Sequence, residues 1–253
     1  MVTRRHALRD DQWAQIKDEL PGRKGSVGVT ARDNRLFVDA VLYRYCTGCP
    51  WRDLPERFGH PIRIHTRFSR WAKSGIWERI FKLLSSDADN EYAMIDSTIV
   101  RAHQHSAGAK KKDGEQAIGR SRGGLSTKIH ALVDALGDPV AFFLTGGQES
   151  DLAGADELLP DMEADTLHAD KAYDADERVI EPLAAAGKTA VIPPRANRKN
   201  QRQYDRELFK ERHLIENFFA KLKQFRAIAT RYDKTKRNFL AAVHLASAVI
   251  WLN

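Results

Sequence analysis

The alternation of apolar and polar positions divides the chain into two regions. Up to residue 84 the apolar residues recur at helical spacing, with an N-cap aspartate at Asp10 and a helix-ending glycine at Gly48. A polar linker follows at 85–90. We therefore predict a helical domain over residues 1–85 and a second domain over 91–253. The predicted helices of the first region are 10–20, 33–48, 51–59, 65–73 and 76–84.

After the linker, short apolar runs alternate with helical segments. Gly137-Asp138 separates two such runs as the turn of a β-hairpin. The order of the segments predicts a mixed α/β domain in which helices flank a sheet. The predicted strands are 92–95, 126–136, 139–144, 166–169 and 189–192, and the predicted helices are 151–159, 176–186, 209–226 and 237–252.

The helix predicted over 209–226 carries an unusual arrangement of charges. Its apolar stripe is formed by Ile215, Phe218, Leu222 and Phe225. On the face beside this stripe, a carboxylate lies between two cations, because Arg212, Glu216 and Lys223 fall within roughly 40° of one another. The face is either a functional one or a set of ordinary salt-bridge partners on an amphipathic helix.

The charge balance narrows the class of partner. The chain has 41 Lys+Arg against 34 Asp+Glu, a net charge of +7 and a pI near 9.4. This favours a polyanion, with nucleic acid first and an acidic membrane surface second. No apolar run approaches the roughly 20 residues that span a bilayer, and no apolar signal core follows the N-terminus. We expect a cytoplasmic protein.

Cys46 and Cys49 are the two cysteines. Together with His60 and His65 they approximate a two-cysteine, two-histidine zinc spacing, although the intervening segment is short for that pattern. We therefore favour two reduced thiols within a helical domain over a zinc site.

Two basic segments are candidates for contact with DNA. Two short helices around the turn at Gly59 match a helix-turn-helix pattern, for which a packing or dimerisation module is the alternative. The stretch 101–124 is a basic loop that would meet phosphates or stay solvated. The candidate contacts are Arg63, Arg67, Arg70 and Lys73 in the second short helix, and Lys110, Lys111 and Lys112 in the loop.

Three acidic residues lie where an α/β fold can bring them together. Asp96 follows one predicted strand, Asp170 follows another, and Glu216 lies in the middle of a predicted helix. Carboxylates are the ligands that Mg²⁺ prefers, and two ions about 3.5–4 Å apart can promote an in-line phosphoryl transfer. Acidic residues after strands are common, so other carboxylates remain alternatives. These are Asp134, Asp151 and Asp174.

The segments around these three residues resemble a known family. Residues 94–98, 168–174 and 212–217 look like the three acidic motifs of bacterial insertion-sequence transposases of the Asp-Asp-Glu type, closest to the insertion sequence five family. The family signature of Tyr, Arg, Glu and Lys is matched here by Arg212, Glu216 and Lys223. Phe209 stands at the tyrosine position, where it can supply aromatic packing but no hydroxyl.

The resemblance implies a fold, a site and an activity. The fold is a ribonuclease H-like core, with residues 33–73 similar to the family's helical DNA-binding region and 229–234 similar to its segment after the catalytic helix. Asp96, Asp170 and Glu216 are the implied catalytic residues and ligands of Mg²⁺ or Mn²⁺, as two ions. Arg212 and Lys223 are the implied DNA contacts.

The implied protein is a transposase that binds terminal inverted repeats of double-stranded DNA through residues 1–85. It cleaves there with metal and joins the strand to target DNA, as a homodimer or higher oligomer on the bacterial nucleoid. Lys171 is a further candidate contact, and His103, His105 and His168 would position phosphate or water, or simply pack. A metal-dependent nuclease and a DNA-binding regulator are the alternatives.

Overall fold

The first part of the chain is helical, as its periodicity predicts. The computed structural model describes residues 5–23, 25, 29–108, 114–198 and 201–253. The Asp33 carboxylate caps the second helix by accepting from the Leu36 N–H, and Gly48 ends it in the left-handed region at φ 76°. Among the described residues of this part, the α-helices are α1 Asp10–Ile16, α2 Asn34–Thr47, α3 Pro61–Lys73 and α4 Ile76–Leu84.

The short helix expected at 51–59 is instead a pair of 3₁₀ turns, Trp51–Asp53 and Glu56–Phe58. Each turn follows a proline, and Gly59 then adopts φ 89°. Pro61 stands in the first turn of α3, so this helix begins four residues earlier than the pattern around His65 suggested.

A seven-stranded mixed sheet forms the second part of the chain. The strand β1 is central, antiparallel to β3 and parallel to β5. The order β4-β3-β1-β5-β6, with β2 beside β3 and β7 beside β1, is that of the ribonuclease H-like core that we expected. The strands are β1 Ala93–Ala102, β2 Gly119–Ser121, β3 Gly124–Val133, β4 Pro139–Gly146, β5 Thr166–Ala169, β6 Thr189–Val191 and β7 Thr230–Arg231.

The strand β1 is longer than the strand predicted over 92–95. The strand does not end at Asp96 but runs six residues further, so Asp96 lies in mid-strand. The segment 101–124, expected to be a loop, contains the end of β1, a 3₁₀ turn at Gln104–Ala107, β2 and the first residue of β3. Its residues 109–113 lie outside the described residues. Strand length here follows from pairing with β3 rather than from local apolar character.

The long helix expected over 209–226 is broken into two. Bonds from the Glu211 N–H to the Leu208 carbonyl, and from the Arg212 N–H to the Phe209 carbonyl, tighten the junction. Glu216 therefore lies in the first turn of a helix, not in its middle. The α-helices after the linker are α5 Leu152–Leu158, α6 Glu181–Ala185, α7 Arg206–Lys210, α8 His213–Lys223, α9 Arg226–Ala229 and α10 Lys236–Trp251, and a π-helix at Asp176–Ile180 precedes α6.

Two hydrophobic cores cover the two faces of the sheet. Met94 and Val100 on β1 belong to the larger core, which also contains residues of α2, α3, α8 and α10. Ala93 and Ile95 project from the opposite face into the smaller core with α5. The N-terminal helices thus share their core with one face of the sheet. The separation into domains at 1–85 and 91–253 stays a prediction.

A buried ionic contact also joins the two regions. Arg44 of α2 lies 3.4 Å from Asp233, and both side chains are about 3% exposed. The Tyr45 hydroxyl donates to the same carboxylate at 3.1 Å. Losing either charge would leave the other buried without compensation. In the described part of the chain, none of the helices has the length and apolar character needed to cross a membrane.

Candidate active site

Two neighbouring parallel strands bring Asp96 and Asp170 together. Ile95 of β1 pairs with Ala169 of β5, and each is followed directly by one of the two aspartates. Adjacent strands lie about 4.8 Å apart, and side chains alternate between the faces of a sheet. Both carboxylates are therefore on the face opposite Ile95, which is the face that α8 covers.

Arg212, the residue before α8, connects two of the three predicted carboxylates. Its Nη1 lies 2.5 Å from Oδ2 of Asp96, and its Nη2 lies 2.6 Å from Oε1 of Glu216. The Arg212 and Asp96 side chains are about one-fifth exposed, whereas Glu216 is 60% exposed. One guanidinium thus occupies the space between a carboxylate of the sheet and a carboxylate of the helix.

The surroundings of Asp96 shift the pKa of its carboxylate. Burial raises its pKa, and the charge of the nearby Asp170 acts in the same direction, while the Ser97 N–H and Arg212 oppose them. The Ser97 N–H donates to Asp96 Oδ1 at 2.7 Å. Asp170 accepts from the Ala172 N–H at 2.7 Å and so caps the 3₁₀ turn that follows β5. Backbone donors therefore orient both aspartates.

Within the described residues, no group of three or more His, Cys, Asp and Glu side chains is arranged to hold a metal ion. The position of Arg212 gives a physical reason at this site, because its guanidinium keeps Asp96 and Glu216 apart. The donor set nevertheless suits a hard divalent cation, since all three groups offer carboxylate oxygens.

The predicted DNA contacts near this site differ in their surroundings. Lys171 directly follows Asp170 and is exposed, and Lys223 is exposed at the end of α8. Lys223 is seven residues beyond Glu216, which corresponds to about 10 Å along the helix axis. Arg212, by contrast, is engaged by two carboxylates. Phe209, at the tyrosine position of the family signature, contacts the ring of Tyr204 edge to face at 5.7 Å.

The cations predicted on α3 separate into an exposed set and a packed residue. Arg63, Arg70 and Lys73 are exposed on one side of the helix. Arg67 instead lies over the ring of Phe37, 4.2 Å from its centroid, and near Trp71. This arrangement gives Arg67 a packing role, and a DNA contact by any of the four stays a prediction. Lys110, Lys111 and Lys112 lie outside the described residues.

The three rival carboxylates each have partners within the fold. Asp134 accepts from the Leu136 and Asp138 N–H groups and so shapes the β3–β4 turn. Asp174 forms ion pairs with two arginines of the segment after β6. Asp151 is 2.8 Å from the ammonium of Lys128. Each rival thus has a structural partner of its own, and the choice of Asp96, Asp170 and Glu216 over these three stays a prediction.

Two neighbours of the site were missed by sequence reasoning. The first is Ser97, whose hydroxyl donates to Asp151 at 2.5 Å. Asp151 in turn forms an ion pair with the buried Lys128, so Ser97 is linked to that ion pair. Tyr173 is fully buried, and in the described part of the chain its hydroxyl has no hydrogen-bond partner. A lysine in the middle of an apolar strand was a usable signal of a buried ion pair. No local signal distinguished Tyr173.

The three histidines predicted near the site are in different surroundings. His168 is buried on β5 and stacks on Tyr92 at a ring distance of 4.4 Å, and burial lowers its pKa. His103 and His105 lie beyond the far end of β1, with ring centroids 4.6 Å apart. The packing alternative therefore describes His168.

Two of the residues considered for a zinc site in the N-terminal region have packing roles or buried surroundings. The ring of His65 packs on Trp51, and burial raises the pKa of the Cys46 thiol to about 11.

Two models of protein families match parts of this chain. Residues 8–81 match the model described as a putative transposase of the IS4/5 family, and residues 89–251 match the transposase DDE domain. A putative transposase of insertion element IS6501 from Brucella ovis is 42% identical over 129 residues, covering 51% of this chain and 99% of that protein.

An uncharacterised protein, y4sN of Sinorhizobium fredii, is 48% identical over 108 residues, which cover 42% of this chain and 86% of that protein. Among solved structures, a piggyBac transposase synaptic complex with hairpin DNA aligns with a TM-score of 0.48 at 11% identity. That alignment covers 93% of this chain and 69% of the other.

Proposed function

Because the chain belongs to the family of DDE transposases, whose domain model spans residues 89–251, we propose that Asp96, Asp170 and Glu216 are its catalytic carboxylates. The observation that carries this assignment is the placement of two aspartates at neighbouring positions of parallel strands, with the third carboxylate linked to the first through Arg212. The substrate we propose is double-stranded DNA that carries the terminal inverted repeats of the element.

The electrostatics of the site support a divalent cation, Mg²⁺ or Mn²⁺, as its cofactor. Burial and the Asp170 charge raise the pKa of Asp96, so the paired aspartates are costly to keep ionised without a cation between them. Arg212 supplies part of that positive charge in the protein alone. When bound, two such ions would activate a water or a 3′ hydroxyl and stabilise the leaving oxygen of an in-line phosphoryl transfer.

The side chains then have separate tasks. Asp96 and Asp170 hold the cofactor from the sheet, and their backbone donors fix the orientation of the carboxylates. Glu216 closes the site from α8 and is sufficiently exposed to move. Arg212 leaves the carboxylates and, with Lys171 and Lys223, binds the DNA backbone. Neither cleavage nor strand transfer requires a nucleophilic side chain.

The N-terminal helices would recognise the ends of the element. The exposed cations Arg63, Arg70 and Lys73 on α3 form a surface suited to phosphates, while Arg67 holds the helix in place. Joining two ends to one target brings two active sites together, so the working complex would contain at least two copies of the chain.

Strand transfer by isosteric variants tests the assignment. Asp96→Asn, Asp170→Asn and Glu216→Gln should abolish both nicking and joining of an oligonucleotide that carries the terminal repeat, in Mg²⁺ or Mn²⁺, and should leave its binding intact. Glu157→Gln is the matched control, since this residue is exposed and belongs to α5, which packs on the face of the sheet opposite the two aspartates. Nicking without joining by wild type would indicate a nuclease. Binding without any cleavage would indicate a DNA-binding regulator.

A further inference from the structure

The segment after α9 alternates between residues that hold the fold and residues that do not. Arg231 is fully buried and donates to the Ala117 carbonyl and the Thr127 hydroxyl. Asp233 is 5% exposed and accepts from Arg44 and Tyr45. Tyr232, which lies between these two residues, is 39% exposed. Lys234, which follows Asp233, is also exposed. An exposed tyrosine beside a lysine is not explained by the packing of this segment.

Tyr232 belongs to a group of aromatic rings at the far end of β1. Its ring stacks on that of His103, with centroids 4.9 Å apart and planes 28° apart. His103 in turn meets His105 edge to face at 4.6 Å, and the His105 N–H donates to His103 Nδ1 at 3.3 Å. We call Tyr232, His103 and His105 the aromatic platform.

The backbone fixes the aromatic platform relative to the sheet. Thr230 and Arg231 of β7 pair with Arg101 and Ala102 of β1, and the His103 N–H donates to the Arg231 carbonyl at 2.9 Å. The rings are therefore held by the strand that carries Asp96. A platform held in this way needs little reordering to accept a flat ligand.

Exposed cations lie beside the aromatic platform. Arg101 ends the exposed side of β1, and Lys234 follows the platform tyrosine by two residues. As far as the described residues extend, neither forms an ion pair with an acidic side chain. Aromatic rings that stack with bases, together with cations that contact phosphates, are the combination by which proteins hold single-stranded nucleic acid.

We propose that the aromatic platform is a second DNA-binding site, at which Tyr232 stacks on an unpaired base while Arg101 and Lys234 contact the flanking phosphates. This inference rests on the proposed function, because it concerns the DNA of the same element. Five residues of β1 separate Asp96 from Arg101, a span of about 16 Å, and because that number is odd the two side chains project from opposite faces of the sheet. The site would hold an unpaired stretch of the DNA on the face of the sheet opposite the carboxylates.

The test compares two forms of the same terminal-repeat DNA by fluorescence anisotropy. One is a blunt duplex, and the other ends in a single-stranded extension of six nucleotides. Tyr232→Ala should weaken binding of the extended DNA on the order of tenfold and leave the blunt duplex unchanged. Tyr232→Phe keeps the ring and should bind both as wild type does. Thermal melting of each variant confirms that the exposed substitution has left the fold intact.

Photo-crosslinking locates the base. An extension carrying 5-iodouracil at successive positions should crosslink to Tyr232 at one or two adjacent positions in wild type and at none in Tyr232→Ala. Lys234→Gln should weaken binding of the extended DNA and reduce its salt dependence by about one unit. Lys17→Gln, an exposed lysine of the first helical region, is the control for the change in charge.

The outcomes separate this inference from the proposed function. Equal binding of extended DNA by Tyr232→Ala and wild type, with strand transfer intact, overturns the platform and leaves the transposase assignment standing. An equal loss in Tyr232→Phe and Tyr232→Ala also overturns it, because stacking does not need the hydroxyl. If wild type binds neither form of DNA, both proposals fail.

Discussion

Replacing Arg212 with glutamine tests whether its guanidinium stands in for a metal cofactor. In the structure this side chain is 2.5 Å from Asp96 and 2.6 Å from Glu216. A cation that takes up both carboxylates must break both contacts first. Arg212→Gln should therefore raise the affinity of the protein for Mn²⁺, although it removes a residue that we propose to bind DNA.

The size of the effect follows from the exposure of the two contacts. A hydrogen bond between charged groups contributes about 1.5–3 kcal/mol, and the pair with Asp96 is about one-fifth exposed on both sides. The pair with Glu216 is largely solvated, so it adds less than about 1 kcal/mol. Breaking the contact with Asp96 alone thus costs roughly 1.5–3 kcal/mol, which predicts at least ten- to hundredfold tighter Mn²⁺ binding by Arg212→Gln.

Isothermal titration with Mn²⁺ at pH 7.5 and 0.15 M salt measures this change directly. Lys223→Gln is the matched control, because it loses the same charge at a position about 10 Å along α8 from Glu216. At that distance the Debye length of about 8 Å screens most of the effect, so its affinity should change less than threefold.

Two results would refute the reasoning. In the first, Arg212→Gln binds Mn²⁺ no more tightly than wild type, which would mean that the arginine does not compete with the cation. In the second, Lys223→Gln gains as much as Arg212→Gln, which would reduce the effect to net charge. Strand transfer by Arg212→Gln should fall while its Mn²⁺ affinity rises, and a parallel change of both quantities would contradict the two roles we assign.

Three further predictions concern stability, DNA binding and pH. Asp233→Asn should lower the free energy of unfolding by about 3–5 kcal/mol, or the Tm by roughly 6–20 °C, because the charge of Arg44 stays buried without its partner. A loss below about 1 kcal/mol in chemical denaturation would contradict this prediction. Arg67→Ala should lower the free energy of unfolding by about 1–2 kcal/mol, because it removes the contacts of the guanidinium with two aromatic rings. Arg70→Ala should leave the melting temperature unchanged and weaken DNA binding measured by anisotropy. A lower melting temperature for Arg70→Ala but not for Arg67→Ala would exclude the packing role of Arg67. Burial raises the pKa of Asp96 in the folded protein, so the folded protein binds a proton at Asp96 at a higher pH than the unfolded chain does. Above the pKa of the folded state, the ionised Asp96 therefore lowers the free energy of unfolding. Mn²⁺ affinity should accordingly fall as pH drops through the raised pKa, above the ordinary aspartate value of about 3.9, and affinity that is constant down to that value would oppose the shift.

Local pattern was sufficient for elements that depend on neighbouring residues. The helix 76–84 and the strand 166–169 have the bounds that their periodicity predicts. Helical periodicity and strand-length apolar runs are properties of short windows, so they can be read without knowledge of the fold. The acidic motifs around Asp96, Asp170 and Glu216 were likewise readable, because family signatures combine residue type with fixed spacing.

Elements that depend on distant partners were not readable in this way. β1 is longer than its apolar run, since its second half is held by pairing with β3 and β7. The helix predicted over 209–226 breaks where Arg212 reaches Asp96, 116 positions earlier in the chain. No glycine or proline marks that break in the sequence.

The sequence by itself therefore determined the class of the protein, the order of its longer helices and strands, and its three candidate carboxylates, but not the short strands β2 and β7. The tertiary structure decided what each of these residues touches. It placed Arg212 between Asp96 and Glu216, packed Arg67 among aromatic rings and exposed Tyr232 beside His103. The physical reason is range, because propensity and periodicity act over a few residues, whereas ion pairs, ring contacts and strand pairing join segments that only the folded chain brings together.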